Sequence, residues 1–295
     1  MSPARRASML VAAATAVALA LGAPAAGAAK KKAKPGPIRV ASATTSTTAD
    51  NQTVTATATC PKGTSAVGGG FLAGTSTEGG SLSDLHLTSV SRRSGSRAWI
   101  VTAERLDGVT PGPSLPVTSE AYCRAKAGKI AEATGTTSLT PITVLPFATR
   151  AACPVGRGAF AGGFSSTGPA GGLARVLLRL SPFGVVGFEA INVALAPGAL
   201  SFSTHAYCGS SSKPPKTRTA SVAMATNDTV VSATTASCPG KLASFGGGFS
   251  GPSFQTGAVA LPMVVESRRS GNGWRASALN LTVFPGQLNA VAICS

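Results

Sequence analysis

Acidic residues and histidines are scarce in this sequence of 295 residues. It has ten Asp and Glu together and two His, against 26 Lys and Arg. General acid–base hydrolysis needs two carboxylates, or a carboxylate and a histidine, in one site, and zinc needs three or four nitrogen or sulfur donors. Because the acids are scattered singly, we expect no catalytic site, no metal and no cofactor. An exported hydrolase acting through Glu189 and His205 is the alternative to this expectation.

Long apolar runs are also scarce after the first residues. Arg5 and Arg6 precede the apolar segment 9–22, and small residues follow as far as Ala28, as is typical of a secretory signal. The fourteen residues of that segment are fewer than the roughly 20 that cross a bilayer. We therefore predict a signal peptide over residues 1–28, a basic tail over 29–37, and no membrane span after cleavage. The composition is typical of GC-rich bacteria.

Aromatic residues make up only 5 % of the chain, and strong helix formers are few. Ala, Val, Thr and Ser predominate, with 35 Gly, and this composition favours strands and turns. The hydrophobic fraction of 43 % excludes a wholly disordered chain. The six cysteines contain no Cys-x-x-Cys spacing, so in an exported chain they favour disulfides. We expect an all-β, secreted protein.

Three similar units organise the sequence. The strings CPKGTSAVGGGF, CPVGRGAFAGGF and CPGKLASFGGGF begin at Cys60, Cys153 and Cys238, and each has Val67, Phe160 or Phe245 ahead of its paired glycines. Each unit ends on a second cysteine. We place the repeats at residues 38–123, 130–208 and 219–294, with basic loops at 124–129 and 209–217 between them. Quasi-symmetry then predicts pairing within each unit: Cys60–Cys123, Cys153–Cys208 and Cys238–Cys294.

Period-two alternation indicates the strands of each unit. Thr53–Thr59 alternates cleanly, and strand starts near Thr53, Ser65, Leu82, Ala98 and Leu115 predict four or five strands per unit, about twelve to fifteen in all. In the closing segments one face is predicted to be core. Its members are Val117, Ser119, Ala121, Cys123, Phe202, Thr204, Ala206, Cys208, Leu288, Ala290, Ala292 and Cys294.

The opposite face of the closing segments carries His205, at the slot that Glu120 and Val291 hold in the other units. A slot that accepts such different residues is predicted to lie at the surface. We therefore interpret His205 as satisfied or solvated, and His86 likewise. The glycine runs at Gly68 and Gly246 lack a following Lys-Ser/Thr and a helix, so we predict close backbone packing or a bulge there, not a phosphate loop.

Two arginine pairs recur at corresponding places, each before Ser-Gly. They are Arg92-Arg93 and Arg268-Arg269, and we predict that they lie on hairpin connections. The formal net charge is +16 at pH 7, and +14 once residues 1–28 are removed. Because such a charge attracts anionic polymers, these four arginines are our candidate anion contacts, with an anionic envelope polymer or glycan as the partner.

Aromatic residues lie close to these arginines but follow a different pattern. Trp99 and Trp274 occupy positions that Phe188 also fills, so we predict that they belong to the core. Binding to single-stranded nucleic acid needs exposed aromatics interleaved with basic residues. We therefore expect no specific nucleic-acid partner.

The repeated Cys-Pro-x-Gly … Gly-Phe string resembles the vitelline membrane outer layer protein family over about a dozen residues per unit. It is also similar to the Cys-containing repeats of uncharacterised exported proteins of GC-rich bacteria. The former resemblance implies a β-prism of three sheets around a pseudo-threefold axis, with a glycan-binding groove. The units here are longer, and the acidic Gly-Asp-Asp segment of that family has no counterpart. Three tandem β-sandwiches are the alternative architecture.

Two functional hypotheses follow from these observations. The first is a non-enzymatic exported structural or binding module of the cell envelope or extracellular space. The second is a lectin-like β-prism that binds glycan between its sheets.

Overall fold

The computed structural model describes residues 36–295 except 50–51, 75–85, 106–113, 140–146, 168–174, 184–186, 195–199, 211–214, 225–229, 252–261 and 281–284. The predicted signal peptide, most of the predicted basic tail and the predicted strand start at Leu82 lie outside the described residues. The described part of the chain is all-β, as predicted, and none of it forms a helix long and apolar enough to cross a membrane.

Eighteen strands make up the described structure. They are β1 Arg39–Thr47, β2 Thr53–Thr59, β3 Thr64–Ala73, β4 His86–Ser94, β5 Ala98–Arg105, β6 Leu115–Ala125, β7 Ala131–Leu139, β8 Phe147–Ala152, β9 Gly158–Thr167, β10 Arg175–Phe183, β11 Gly187–Ala194, β12 Leu200–Gly209, β13 Lys216–Met224, β14 Val230–Thr234, β15 Ser244–Ser250, β16 Pro262–Ser270, β17 Gly273–Asn280 and β18 Gly286–Cys294. We refer to β1–β6, β7–β12 and β13–β18 as segments 1, 2 and 3.

The number of strands per segment is six, so the prediction of four or five was wrong. The predicted starts at Thr53, Ala98 and Leu115 agree with β2, β5 and β6. The strand missed in segment 1 is β1, which consists mostly of small Thr, Ser and Ala side chains and is largely exposed along one face. Such a strand pairs through its backbone and carries little apolar signal. The loop predicted over 209–217 is also shorter, because β13 begins at Lys216.

Each of the three sheets is shared by two segments. Sheet 1 has the order β1-β6-β3-β16-β17-β14, sheet 2 the order β13-β18-β15-β10-β11-β8, and sheet 3 the order β2-β5-β4-β9-β12-β7. Every segment therefore gives three strands to one sheet and three to another. This arrangement is β-prism-like, and the alternative of three tandem sandwiches is wrong because no segment forms a sheet by itself.

The segments meet at three short seams, where β3 pairs with β16, β9 with β4, and β15 with β10. In each seam the phenylalanine of the Gly-Gly-Phe string is a paired residue: Phe71 opposes Ser267, Phe164 opposes Ser91, and Phe249 opposes Leu180. All three phenylalanines are at most 2 % exposed. The rings of Phe71 and Phe164 meet edge to face with centroids 6.2 Å apart. The Gly-Gly-Phe strings thus join the segments and supply their common core.

The three disulfides form with the predicted pairing, and each joins two different sheets. Cys60–Cys123 links the end of β2 in sheet 3 to β6 in sheet 1. Cys153–Cys208 links sheet 2 to sheet 3, and Cys238–Cys294 links sheet 1 to sheet 2. Every pair of sheets is therefore bridged once. Three such bonds indicate that the protein matures in an oxidising, extracellular environment.

The glycine runs allow large aromatic rings to pack against the backbone, in agreement with the close packing that we predicted for them. A Cβ added at Gly69 would overlap the indole of Trp99, and one at Gly247 would overlap Trp274. In segment 2, Gly162 stands in the same relation to Phe188. Trp99, Trp274 and Phe188 are at most 2 % exposed, so their predicted place in the core is confirmed.

Candidate functional site

The paired arginines lie in strands and not in the hairpin connections, so that part of the prediction was wrong. Arg92 and Arg93 belong to the end of β4, and Arg268 and Arg269 to the end of β16. The backbone N–H of Arg93 donates to the phenol oxygen of Tyr207 at 2.7 Å, and that of Arg269 donates to Tyr122 at 2.6 Å. These bonds fix the motif against a strand of another segment.

The serine immediately before each arginine pair, Ser91 or Ser267, also has a structural partner. The indole N–H of Trp99 donates to the hydroxyl of Ser91, and that of Trp274 to Ser267, both at 3.0 Å. Trp99 packs edge to face on Tyr207, and Trp274 on Tyr122. Burial raises the pKa of both tyrosines, so their phenols stay protonated at neutral pH. At each of two seams, hydrogen bonds to the serine and to the second arginine therefore hold a tryptophan–tyrosine pair in place.

The guanidinium of Arg268 is occupied by carboxylates. It donates to Glu266 at 2.6 Å and to Glu120 at 2.9 Å. Glu266 is fully buried and also accepts from Arg275 at 3.0 Å and from Ser277 at 2.6 Å. Because its acceptors are already supplied by the protein, Arg268 is a poorer candidate for contact with an external anion than its sequence position suggested.

Glu266→Gln is expected to lower the free energy of unfolding by about 2 kcal/mol, because the neutral amide leaves two arginines without their shared counter-charge. The loss is smaller than the roughly 3–5 kcal/mol usual for a fully buried pair, since the side chains of Arg268 and Arg275 are 33 % and 37 % exposed and solvent screens them. Urea denaturation measures the change. Glu132→Gln, at a half-exposed carboxylate, is the matched control and should cost less than about 1 kcal/mol. Equal losses would contradict this interpretation.

His205 is 7 % exposed and Glu120 is 8 % exposed, so the prediction that this slot lies at the surface was wrong. Strands β7 and β9 flank β12 and cover the imidazole of His205. Its Nδ1 lies 2.8 Å from Oε1 of Glu132, and its Nε2 lies 3.0 Å from Oγ of Ser165. The ring is therefore satisfied within sheet 3.

The carboxylate of Glu132, the imidazole of His205 and the hydroxyl of Ser165 follow one another in the order of a serine hydrolase catalytic triad. However, Ser165 lies inside β9, which is paired with both β12 and β4. Those ladders use the backbone N–H groups that an oxyanion hole requires. The alternative site of Glu189 with His205 is not assembled, because Glu189 lies in β11 of sheet 2 and pairs there with Arg150 at 2.5 Å.

His86 is completely buried at the start of β4. Its Nε2 lies 2.8 Å from the hydroxyl of Thr47, and Arg105 is its opposite residue on β5. Burial, and then the charge of Arg105, lower the pKa of His86 to about 4. The folded protein therefore holds this imidazole neutral at physiological pH.

Stability is expected to fall as the pH decreases from about 6.5 to 4. In this window the unfolded chain binds a proton at His86, which has an ordinary pKa near 6.5, while the folded protein does not until about pH 4. The full loss is about 3 kcal/mol below that pH. Urea denaturation at several pH values should show a flatter dependence for His86→Gln than for His205→Gln. Identical pH profiles in the two variants would contradict the assignment.

A pocket lies where three β-bulges meet. The register shifts between Ala66 and Gly68 in β3, and between Ser244 and Gly246 in β15, and β9 has one extra residue against β12. The unpaired residues are Val67, Phe160 and Phe245, the apolar positions that recur ahead of the glycines. We refer to the cavity beside them as the bulge pocket.

The bulge pocket has a volume of about 440 Å³, and all three segments line it. The rings of Phe160 and Phe245 meet edge to face with centroids 6.3 Å apart. The guanidinium carbon of Arg124 lies 4.7 Å from the centroid of the Phe245 ring, a cation–π arrangement. Lys216 also lines the pocket. An aromatic wall thus adjoins two cationic groups.

The bulges pack tightly on one another below this pocket. A Cβ added at Gly246 would lie 2.7 Å from the methyl of Ala161, and one at Gly68 would overlap the carbonyl of Phe245. There is room for one methyl group, and Ala161 supplies it. This explains how the third equivalent position can be alanine while the other two are glycine.

Paired hydroxyl and amide groups recur on the exposed face of each sheet, five residues before the last cysteine of each segment. The pairs are Thr44 with Thr118 at 2.9 Å, Thr136 with Ser203 at 2.9 Å, and Ser221 with Asn289 at 2.5 Å. Each pair joins an edge strand to its neighbour, so the three sheets present similar polar surfaces.

The sequence matches no protein-family model, and it has no significant similarity to a curated protein. Within the described ranges, no group of three or more His, Cys, Asp or Glu side chains is arranged to hold a metal ion.

Proposed function

We propose that the protein is an exported, non-enzymatic binding module of the extracellular space or cell envelope, and that the bulge pocket is its ligand site. The observation that carries this proposal is a 440 Å³ cavity walled by two phenylalanines from different segments. Small-molecule sites are typically apolar, largely preformed and about 300–1,000 Å³ in volume, with a few polar groups that set orientation.

The uses of the other recurring residues support the same proposal. The serine and backbone N–H groups of the arginine motifs, the glycines and the cysteines all contribute to packing. His205 and Glu189 are held by separate partners in different sheets. By contrast, Phe160 is only half-buried and lines the pocket, and the neighbouring side chains do not fill the pocket beside it.

Fluorescence titration with N-phenyl-1-naphthylamine, a neutral apolar dye, tests this site. We expect saturable binding of one dye per protein, weakened about tenfold by Phe160→Ala because the substitution removes one aromatic wall. Phe147→Ala is the matched control, since Phe147 is a half-buried ring that packs on Phe202 away from the pocket. Absence of saturable binding, or equal weakening in the two variants, would overturn the proposal.

The exposed polar pairs favour a second candidate, a lectin-like module. Hydroxyl and amide groups repeated on three sheets are suited to hydrogen bonding with a glycan. We expect binding on a glycan array to persist in 1 M salt, where screening is strong, and to be weakened by Thr118→Val. Binding that disappears with salt would instead indicate attraction to the net positive charge of the chain.

A further inference from the structure

We propose that the ligand of the bulge pocket is a small amphipathic anion: one carboxylate, sulfonate or phosphate on an apolar body. This inference rests on the proposed function of the pocket and names its ligand class. Two contacts of Arg124, described next, carry it.

The guanidinium of Arg124 is held in place at the pocket wall. Its central carbon lies over the ring of Phe245, and its Nε–H donates to the carbonyl of Gly36 at 3.2 Å. The two Nη groups carry the other four N–H donors of the side chain. A guanidinium positioned in this way loses little rotamer entropy when it binds an oxyanion.

The electrostatic surroundings of Arg124 also favour an anion. Arg124 is partly buried, and this burial lowers the pKa of its guanidinium, although the group stays charged at neutral pH. The exposed Lys216 adds a second cation to the lining. A bound oxyanion would supply the hydrogen bonds and counter-charge that burial removes from the guanidinium.

The apolar part of the ligand follows from the rest of the pocket. Val67, Phe160 and Phe245 are brought together because each is the extra residue of a bulge. Val67 and Phe245 are each 4 % exposed, whereas Phe160 is half-buried and lines the pocket. A simple inorganic anion would leave the ring of Phe160 in contact with water, and a ligand with an aromatic or aliphatic body would cover it.

Two dyes with similar aromatic bodies test this ligand class. 8-Anilinonaphthalene-1-sulfonate carries a sulfonate that N-phenyl-1-naphthylamine lacks. We expect the sulfonated dye to bind about tenfold more tightly at low salt, because a hydrogen bond to a charged group contributes about 1.5 kcal/mol or more. Competition between the two dyes should show that they share one site.

Arg124→Gln should weaken binding of the sulfonated dye about tenfold and change binding of the neutral dye less than about twofold. Lys62→Gln, which removes the same charge at an exposed turn position outside the pocket lining, is the control and should leave both affinities unchanged. If the neutral dye binds but the sulfonate gives no advantage, or if the Arg124 and Lys62 variants behave alike, the ligand class is wrong and the pocket function stands. If neither dye binds, the proposed function itself fails.

Discussion

A double Cys→Ala variant that lacks any one disulfide is expected to have a free energy of unfolding about 4 kcal/mol lower than that of the native protein. The bonds close loops of 63, 55 and 56 residues, and on the chain-entropy estimate the loss of any of them frees a similar number of unfolded conformations. Domains of this size are stable by only about 5–15 kcal/mol, so each loss is large. Urea denaturation of C60A/C123A and of the two equivalent variants measures it.

Removal of all three bonds should leave the chain unfolded, because three losses of about 4 kcal/mol each add up to most or all of the stability that is usual for a domain. Near-ultraviolet circular dichroism in a reducing buffer follows this loss through the two buried tryptophans. The oxidised protein in the same buffer without reductant is the control. A fully reduced chain that kept its tertiary signal would show that the sheets do not depend on the bonds that join them.

Gly247→Ala is expected to destabilise the protein by about 3 kcal/mol, at the upper end of the usual range for overpacking. The new methyl group would overlap the indole of Trp274 and the backbone carbonyl of Val291, which lies in β18, the strand paired with β15 in sheet 2. A backbone carbonyl has less room to move than a side chain, and the ring is 2 % exposed, so neither neighbour yields easily.

Gly36→Ala is the control for this prediction. A Cβ there would lie 3.7 Å from the methyl of Ala125, which is an ordinary contact. We expect a change within about 0.5 kcal/mol, as for other substitutions without steric conflict. Similar thermal and urea midpoints for the two variants would show that the glycine run is not required for packing.

The secondary structure and the core face followed from local patterns. The alternation in Thr53–Thr59 defined β2, and the cysteine-bearing faces of β6, β12 and β18 are buried as predicted. Period-two patterning depends on burial of one face, which each strand carries in its own sequence. It also explains the failure at the His205 slot, since that position is covered by neighbouring strands whose identity the pattern does not give.

The pairing of sheets across segments was left open because local alternation does not specify a strand's neighbours. Each seam consists of two paired positions, which is too short a stretch to leave a pattern in the sequence. One signal was available: segments 1 and 3 carry the Arg-Arg motif, and its partners Tyr207 and Tyr122 come from segments 2 and 1. The equivalent of those tyrosines in segment 3 is Ile293, and segment 2 has Pro182-Phe183 in place of the arginine pair. Motif and partner thus change together.

The candidate ligand site was not predicted from the sequence, although the repeat pattern did include its aromatic residues. Val67, Phe160 and Phe245 were recognised as a recurring apolar position, but their exit from the ladder depends on the bulges. The three-sheet arrangement agrees with the fold that the resemblance to the vitelline membrane outer layer family implied. The glycan-binding groove implied by the same resemblance remains a proposal.

The sharing of every sheet by two segments is tested most directly by cross-strand nuclear Overhauser effects at the seams. We predict backbone contacts between Leu72 and Glu266, between Val90 and Ser165, and between Leu180 and Phe249. Each of these pairs joins two different segments. A spectrum in which all long-range backbone contacts stay within 38–123, 130–208 or 219–294 would show three independent domains and contradict the shared prism.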